Sequence, residues 1–248
     1  MVPISLSDTL TLEAAEQPGI AFTCSDPTLP GDDSNLVVRA ARRFYEAAGK
    51  PPTLRIHLEK AIPHGAGLGG GSSDAASTLM GLNRLENEPL SPQALHQLAA
   101  ELGSDVPFFL AESAAICRGR GEIVSPTRLK EPLPLLLIKP PFGVSTPWAY
   151  SRWRDAQEIP NIPYAAQKFA WGELINDLER PVFEKHLFLA ALKRWLLAQP
   201  ETAAALLSGS GSTLFAVLKN ESAGATLEKR VKEQFGSVWT HCVGFERG

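Results

Sequence analysis

The chain has 248 residues, with 24 lysines and arginines against 27 aspartates and glutamates, giving a formal net charge of −3 at pH 7. That balance offers no electrostatic ground for nucleic acid or an anionic membrane as a partner. Apolar residues make up 44% and charged residues 21% of the sequence, which suits a folded globular protein and excludes disordered and collagen-like classes.

No apolar run approaches the ~20 residues of a membrane span. The opening, Met1 to Asp8, lacks the basic stretch and apolar core of a signal peptide. Cys24, Cys117 and Cys242 lie far apart with no CxxC spacing, so neither a zinc site nor a disulfide framework is indicated. Buried free thiols in a reducing cytoplasm are expected.

Val2, Ile4 and Leu6, then Leu10 and Leu12, alternate with other residues and predict strands from the first residue onward. Pro18-Gly19 marks a turn, Ile20 to Cys24 a short strand, and Pro27 to Asp33 a loop. Ser34 is positioned to cap a helix whose apolar stripe is Leu36, Val37, Ala40, Ala41 and Phe44, with Arg39, Arg42 and Arg43 facing water. Leu54, Ile56 and Leu58 share one face of the next strand; Arg55, His57 and Glu59 share the other. Lys60 reads as a solvated strand end.

The stretch from Pro63 to Ser77 follows, with five glycines between Gly65 and Gly71. Ala75, Ala76, Leu79, Leu82 and Leu85 then fall on one face of a helix, for which Ser72 and Ser73 are the expected caps. A strand that enters a helix through so many glycines presents bare backbone N–H groups with the positive end of the helix dipole behind them. That is an anion site suited to a nucleotide phosphate.

A P-loop would need Gly-Lys-Ser/Thr, and Gly70-Gly71-Ser72 has no lysine there. Gly65, Gly67 and Gly70 fit GxGxxG, but the helix is followed by a second helical pattern from Ser91 to Leu102 and not by a parallel strand ending in an acid. The dinucleotide-fold reading fails on that context.

Gly103 ends this helix and Ser104-Asp105-Val106-Pro107 starts a new segment, with Phe108, Phe109 and Leu110 as core. Ala114 to Cys117 and Glu122 to Val124 read as strands around a turn at Arg118 to Gly121, and Pro126 to Pro134 as a linker. Beyond it come a buried strand at Leu133 to Lys139, a long helix from Asn176 to Gln199, strands at Ala203 to Leu207 and Thr213 to Leu218, a helix at Glu221 to Phe235, and a strand at Val238 to Gly244. This order is the split βαβ arrangement of a ferredoxin-like domain.

Three further places could carry chemistry. Asp105 is a carboxylate that could orient a hydroxyl and accept its proton, although its spacing alone favours a turn cap. Leu207 to Phe215 gathers four hydroxyls around Gly209 and Gly211. Pro141 to Tyr150, with Trp148 and Tyr150, and nearby Trp153, reads from the residues alone as an aromatic surface cover.

The stretch Ile62 to Ala76 resembles the second motif of the GHMP kinases, the family named for galactokinase, homoserine kinase, mevalonate kinase and phosphomevalonate kinase. Its fuller form resembles the branch that phosphorylates 4-diphosphocytidyl-2-C-methyl-D-erythritol, at the 2-hydroxyl, in the non-mevalonate isoprenoid pathway. Leu102 to Phe108 resembles the segment with the family's catalytic aspartate, and Leu207 to Phe215 its third motif, beside the phosphates. The resemblance implies a two-domain α+β fold. Residues 1–131 would form an N-terminal ATP-binding domain like domain 2 of ribosomal protein S5, and 132–248 a C-terminal ferredoxin-like domain.

It also implies ATP and Mg2+ as cofactors. Asn35 and Lys60 would lie around the adenine, and Pro63, Gly65, Ala66, Gly67, Leu68, Gly69, Gly70, Gly71, Ser72 and Ser73 would cradle the phosphates. Asp105 would be catalytic. Thr146 and Tyr150 would sit at the cytidine end of the acceptor, with Ser208, Gly209, Ser210 and Gly211 completing the site. Asp177, in Asn176-Asp-Leu-Glu179, matches a recurrent family stretch and reads as a helix cap. A cytoplasmic monomer or homodimer is expected, without membrane or nucleic-acid partners.

The family also has an upstream strand, Pro-Ala-Lys-(Leu/Ile)-Asn, and a turn, Asp-Gly-Tyr-His, neither of which occurs in this sequence. The expectation is a longer native product carrying the lysine that partners the catalytic aspartate. Rival readings are a homoserine kinase-like enzyme and an ATP-binding module without turnover.

Overall fold

The computed structural model describes residues 1–111, 113–128, 133–170 and 172–244. Contacts divide the chain into two compact units. The first comprises Met1–Pro63 and Gly69–Arg128, and the second His64–Leu68 with the described part of Leu129–Arg247. The expected boundary at 131/132 lies outside the described residues.

The first unit is built on a three-stranded sheet of β1 (Thr9–Ala14), β2 (Gly19–Cys24) and β3 (Thr53–Glu59), with β3 in the centre. β1 pairs with it antiparallel and β2 parallel. Leu54, Ile56 and Leu58 of β3 are fully buried and meet Val37, Ala40, Ala41 and Phe44 of α1 (Leu36–Ala48) and Ala75, Ala76, Leu79 and Leu82 of α2 (Gly70–Leu85) in one core. The period-2 strand and period-3.6 helices thus turn their apolar faces toward each other.

α1 is capped by Asn35 and not by Ser34. Arg39, expected in water, is half-buried and donates to the Leu102 carbonyl at 2.9 Å. α3 (Pro92–Leu102) starts on the Ser91 hydroxyl, α4 (Val106–Leu110) follows, and β4 (Ala115–Arg118) and β5 (Ile123–Pro126) form a hairpin. The expected strand at Val2 to Leu6 is reduced to a single bridge at Ile4. Pro3 has no N–H to give a ladder, and the Asp8 side chain turns inward to other partners.

In the second unit β6 (Leu135–Lys139), β9 (Thr202–Leu207), β10 (Leu214–Leu218) and β11 (Trp239–Val243) form an antiparallel sheet in the order β11-β6-β10-β9. With α8 (Ala223–Phe235) between β10 and β11, this is the ferredoxin-like arrangement. Between β6 and β9 the chain adds α5 (Thr146–Arg152) and a small hairpin of β7 (Gln167–Phe169) and β8 (Gly172–Leu174).

The long helix expected at Asn176 to Gln199 is two helices, α6 (Glu179–Lys185) and α7 (Leu187–Leu197). They part at His186 (φ −120°, ψ 75°), whose ring stacks on Phe142 at 4.8 Å between centroids. That tertiary contact holds the break, and the apolar positions on either side stay in phase, so the sequence reads as continuous. The cysteines are free, as expected, but not buried: Cys24 and Cys117 are half-buried and Cys242 is exposed.

Gly67 (φ 74°) lies so close to the loop after β9 that a Cβ there would stand 2.4 Å from the Ser208 carbonyl oxygen and 2.7 Å from that of Gly211. Both neighbours are backbone and cannot step aside. Gly67→Ala therefore combines positive-φ strain with a backbone collision. It is expected to cost at least about 2 kcal/mol, measured as a lower urea midpoint; an unchanged midpoint would contradict the packing described.

Candidate active site

The glycine stretch is anchored at both ends by one buried cluster of charge in the first unit. Lys60, at the end of β3, places its ammonium 2.5 Å from Asp8 Oδ2 and 2.9 Å from Asp74 Oδ2, with all three side chains at least 92% buried. The other Asp8 oxygen accepts the N–H groups of Ala61 and Ile62 at 2.7 and 2.9 Å. Residues 60–62 before the loop and Asp74 after it are thereby held to one point.

The reading of Lys60 as a solvated strand end is overturned, because its partners lie 52 and 14 residues away. Burial alone would lower the Lys60 pKa, yet the two carboxylates outweigh it and leave it raised. Burial pushes the Asp74 carboxyl up to about 7, against the pull of Lys60.

Between these anchors α2 begins earlier than expected. Its N-cap is Gly69 (φ 73°), no side chain caps it, and its first turn holds no acidic residue. Ser72 and Ser73, expected as caps, lie within the first turn, where the Ser73 N–H already reaches the Gly69 carbonyl at 2.9 Å. The remaining first-turn N–H groups have no side-chain cap on a sixteen-residue helix. They form the donor set that a phosphate group fits.

Phe109 of α4 stands 2.9 Å from where a Gly69 Cβ would be, and Leu36 of α1 stands 3.7 Å from that of Gly71. Both helices therefore pack on the glycines. Asn35 spends its side chain on structure, accepting from the Val37 N–H and donating to the Pro30 carbonyl, each at 2.9 Å. Pro63 is half-buried at the end of the first unit's leading segment. Asp105 precedes α4 without capping it by a side-chain hydrogen bond. Its surface is open, yet the surrounding protein raises its carboxyl above the ordinary aspartate range while the amino terminus of Met1 draws it back.

In the second unit Gly65, Ala66, Gly67 and Leu68 lie against the loop after β9. Ser208 Oγ donates to the Gly67 carbonyl at 2.8 Å and the Thr213 N–H to that of Ala66 at 3.0 Å. Ser210 Oγ is 2.7 Å from Thr146 Oγ1, at the start of α5. Gly209 and Gly211 make the turn with positive φ. The structure thus brings Thr146, residues 65–68 and residues 208–211 together. Tyr150 is exposed, whereas Trp148 packs on the core beneath Lys185.

Asp177 is exposed and caps nothing; Asn176 Oδ1 accepts the Leu178 N–H at 2.9 Å instead. Asp8 was not legible in the sequence as a residue supporting the site. Among the described residues no cluster of three His, Cys, Asp or Glu could hold a metal, and no helix is long and apolar enough to cross a membrane.

An uncapped, glycine-rich helix start is suited to hold a phosphate group, and the family matches place that feature in a small-molecule kinase. The description "GHMP kinases N terminal domain" matches residues 35–113 and "GHMP kinases C terminal" residues 165–237. The chain belongs to the GHMP kinase family, whose members are ATP-dependent.

A 4-diphosphocytidyl-2-C-methyl-D-erythritol kinase of Methylacidiphilum infernorum is 44% identical over 224 residues, covering 89% of this chain and 77% of that one. The protein of that name from Protochlamydia amoebophila is 43% identical over 215 residues, covering 86% and 73%. A crystal structure of 4-(cytidine 5'-diphospho)-2C-methyl-D-erythritol kinase superposes with a TM-score of 0.79 at 35% identity, covering 98% of this chain and 88% of that one. Homoserine kinase from Cytophaga hutchinsonii, at 17% identity and TM-score 0.64, shares the fold.

Two outcomes test the Lys60 cluster. Lys60→Met leaves two buried carboxylates without a counter-ion and is expected to destabilise the chain by about 3–5 kcal/mol in urea unfolding; a loss under 1 kcal/mol would contradict the cluster. Folding raises Asp74 from 3.8 to about 7, so its contribution to stability is complete below about pH 4 and is lost as the pH rises through 7. Asp74→Asn removes that dependence. Its melting temperature should therefore gain on the native chain between pH 5 and 8, whereas parallel profiles would refute the shift.

Proposed function

We propose that this chain transfers the γ-phosphoryl group of ATP to the 2-hydroxyl of 4-diphosphocytidyl-2-C-methyl-D-erythritol. The observation that carries the reading is the uncapped N-terminus of α2 at Gly69, held by the Lys60 cluster, in a chain 44% identical to a kinase named for that substrate. The chemistry asks the protein chiefly to position and neutralise. The N–H groups from Gly65 to Ser73 receive phosphate oxygens, Asn35 and Lys60 border the adenine side through backbone, and Ser208 to Gly211 close over residues 65–68.

Asp105 orients the attacking hydroxyl and accepts its proton as the O–P bond forms and ADP leaves. Thr146 lines the acceptor site, and the exposed ring of Tyr150 offers a face for the cytosine. Mg2+ would neutralise charge on the transferring group. It usually binds through nucleotide phosphates with few protein ligands. The reading includes a cytoplasmic enzyme, monomeric or homodimeric, with no nucleic-acid or membrane partner.

Acceptor-dependent ADP release is the direct assay. Asp105→Asn is expected to lower kcat by about 10²–10⁴-fold with little change in the KM for ATP. Because partial desolvation by the surrounding protein raises the Asp105 carboxyl, kcat/KM should fall as the pH drops through that raised value, and Asp105→Asn should lose this limb. Equal turnover of homoserine, or ADP release indifferent to acceptor, would overturn the substrate assignment.

A further inference from the structure

The segment Asn176 to Glu179 does something that neither a helix cap nor the phosphotransfer reading requires. β9 is the edge strand of its sheet, so its outer N–H and C=O groups have no strand to meet. Side chains take that place. Gln167 accepts the Ala205 N–H at 3.0 Å and donates to the Ala205 carbonyl at 2.8 Å. Two residues on, Glu179 Oε1 accepts the Leu207 N–H at 2.9 Å, and Asn176 Nδ2 donates to the Leu207 carbonyl at 2.8 Å and the Gly209 carbonyl at 2.7 Å.

Glu179 is itself fixed. Its second oxygen is 2.5 Å from Lys193 Nζ, both side chains are 99% buried, and the lysine lies beside the rings of Tyr164 and Phe183. The backbone so gripped is where the second glycine loop leaves the sheet. Ser208 and Thr213 of that loop in turn hold the carbonyls of Gly67 and Ala66.

We infer that Asn176 is a positioning residue, which with the Glu179–Lys193 pair sets the 208–211 loop and, through it, residues 65–67. It is not placed to touch substrate, because Nδ2 is engaged by two carbonyls and Oδ1 by the Leu178 N–H. Its amide is suited to this task, since one group supplies both the helix-capping acceptor and the two loop donors.

Two variants separate the loop contacts from the cap. Asn176→Ser keeps a capping oxygen and replaces the two amide N–H donors by one hydroxyl on a shorter side chain. Asn176→Asp keeps the cap and the size but turns an acceptor toward two carbonyls. Exposed Asp177→Ala is the neighbouring control.

Amide hydrogen exchange and steady-state kinetics are read together with melting temperature. Faster exchange confined to residues 65–67 and 207–213 is expected in both Asn176 variants, with kcat/KM for ATP falling about tenfold or more in the order Asp below Ser. Asp177→Ala should stay within twofold of the native chain. Native-like exchange in these segments would overturn the inference, as would a kinetic loss that merely follows melting temperature across all three variants. The kinetic half rests on the kinase reading, whereas the exchange half does not. A native chain without turnover whose Asn176 variants still exchange faster would count against the reading and for the positioning role.

Discussion

One buried ammonium between two carboxylates organises the first unit. Removing three charged groups from water is costly, and one lysine cannot neutralise both aspartates, so burial raises the Asp74 carboxyl to about 7. The arrangement holds because three carboxylate oxygens, both of Asp8 and Oδ2 of Asp74, have definite partners. Asp8 binds two consecutive N–H groups and the lysine, and Asp74 binds the lysine from the first turns of α2. An apolar cluster could fill the same volume, but it would not fix the backbone of residues 61 and 62. With strand end and helix start tied to one point, the glycines between them can dispense with side chains and still keep their course.

The second unit meets a related demand by other means. Its glycine loop hangs from an edge strand, where water would ordinarily satisfy the backbone. Gln167, Asn176 and Glu179 occupy that edge and fix the point from which Ser208 departs. Gly67 then approaches to a distance that only a residue without Cβ allows. In both units polar side chains position the backbone while glycines provide clearance.

The sequence revealed what depends on local pattern. The alternation of Leu54, Ile56 and Leu58, the stripe from Ala75 to Leu82, and the glycine run were legible because period and clearance are local properties. So was the order of the ferredoxin-like unit. Partnerships across the chain were not legible. Lys60 looked solvated because Asp8 stands beyond three strands and a helix. The break at His186 carries no proline or glycine and depends on a ring 44 residues away, that of Phe142. Asp177 looked like the cap because Asp and Asn are equivalent in a pattern; only geometry shows that Asn176 alone uses both a donor and an acceptor.

The central claim is that the backbone from Gly69 to Ser73, at the uncapped start of α2, receives the phosphates of ATP. Amide hydrogen exchange of the native chain with and without a non-hydrolysable ATP analogue tests it most directly. The account predicts new protection concentrated in residues 69–73 and, in the second unit, residues 65–68. Protection absent from 69–73 while the analogue demonstrably binds would contradict it.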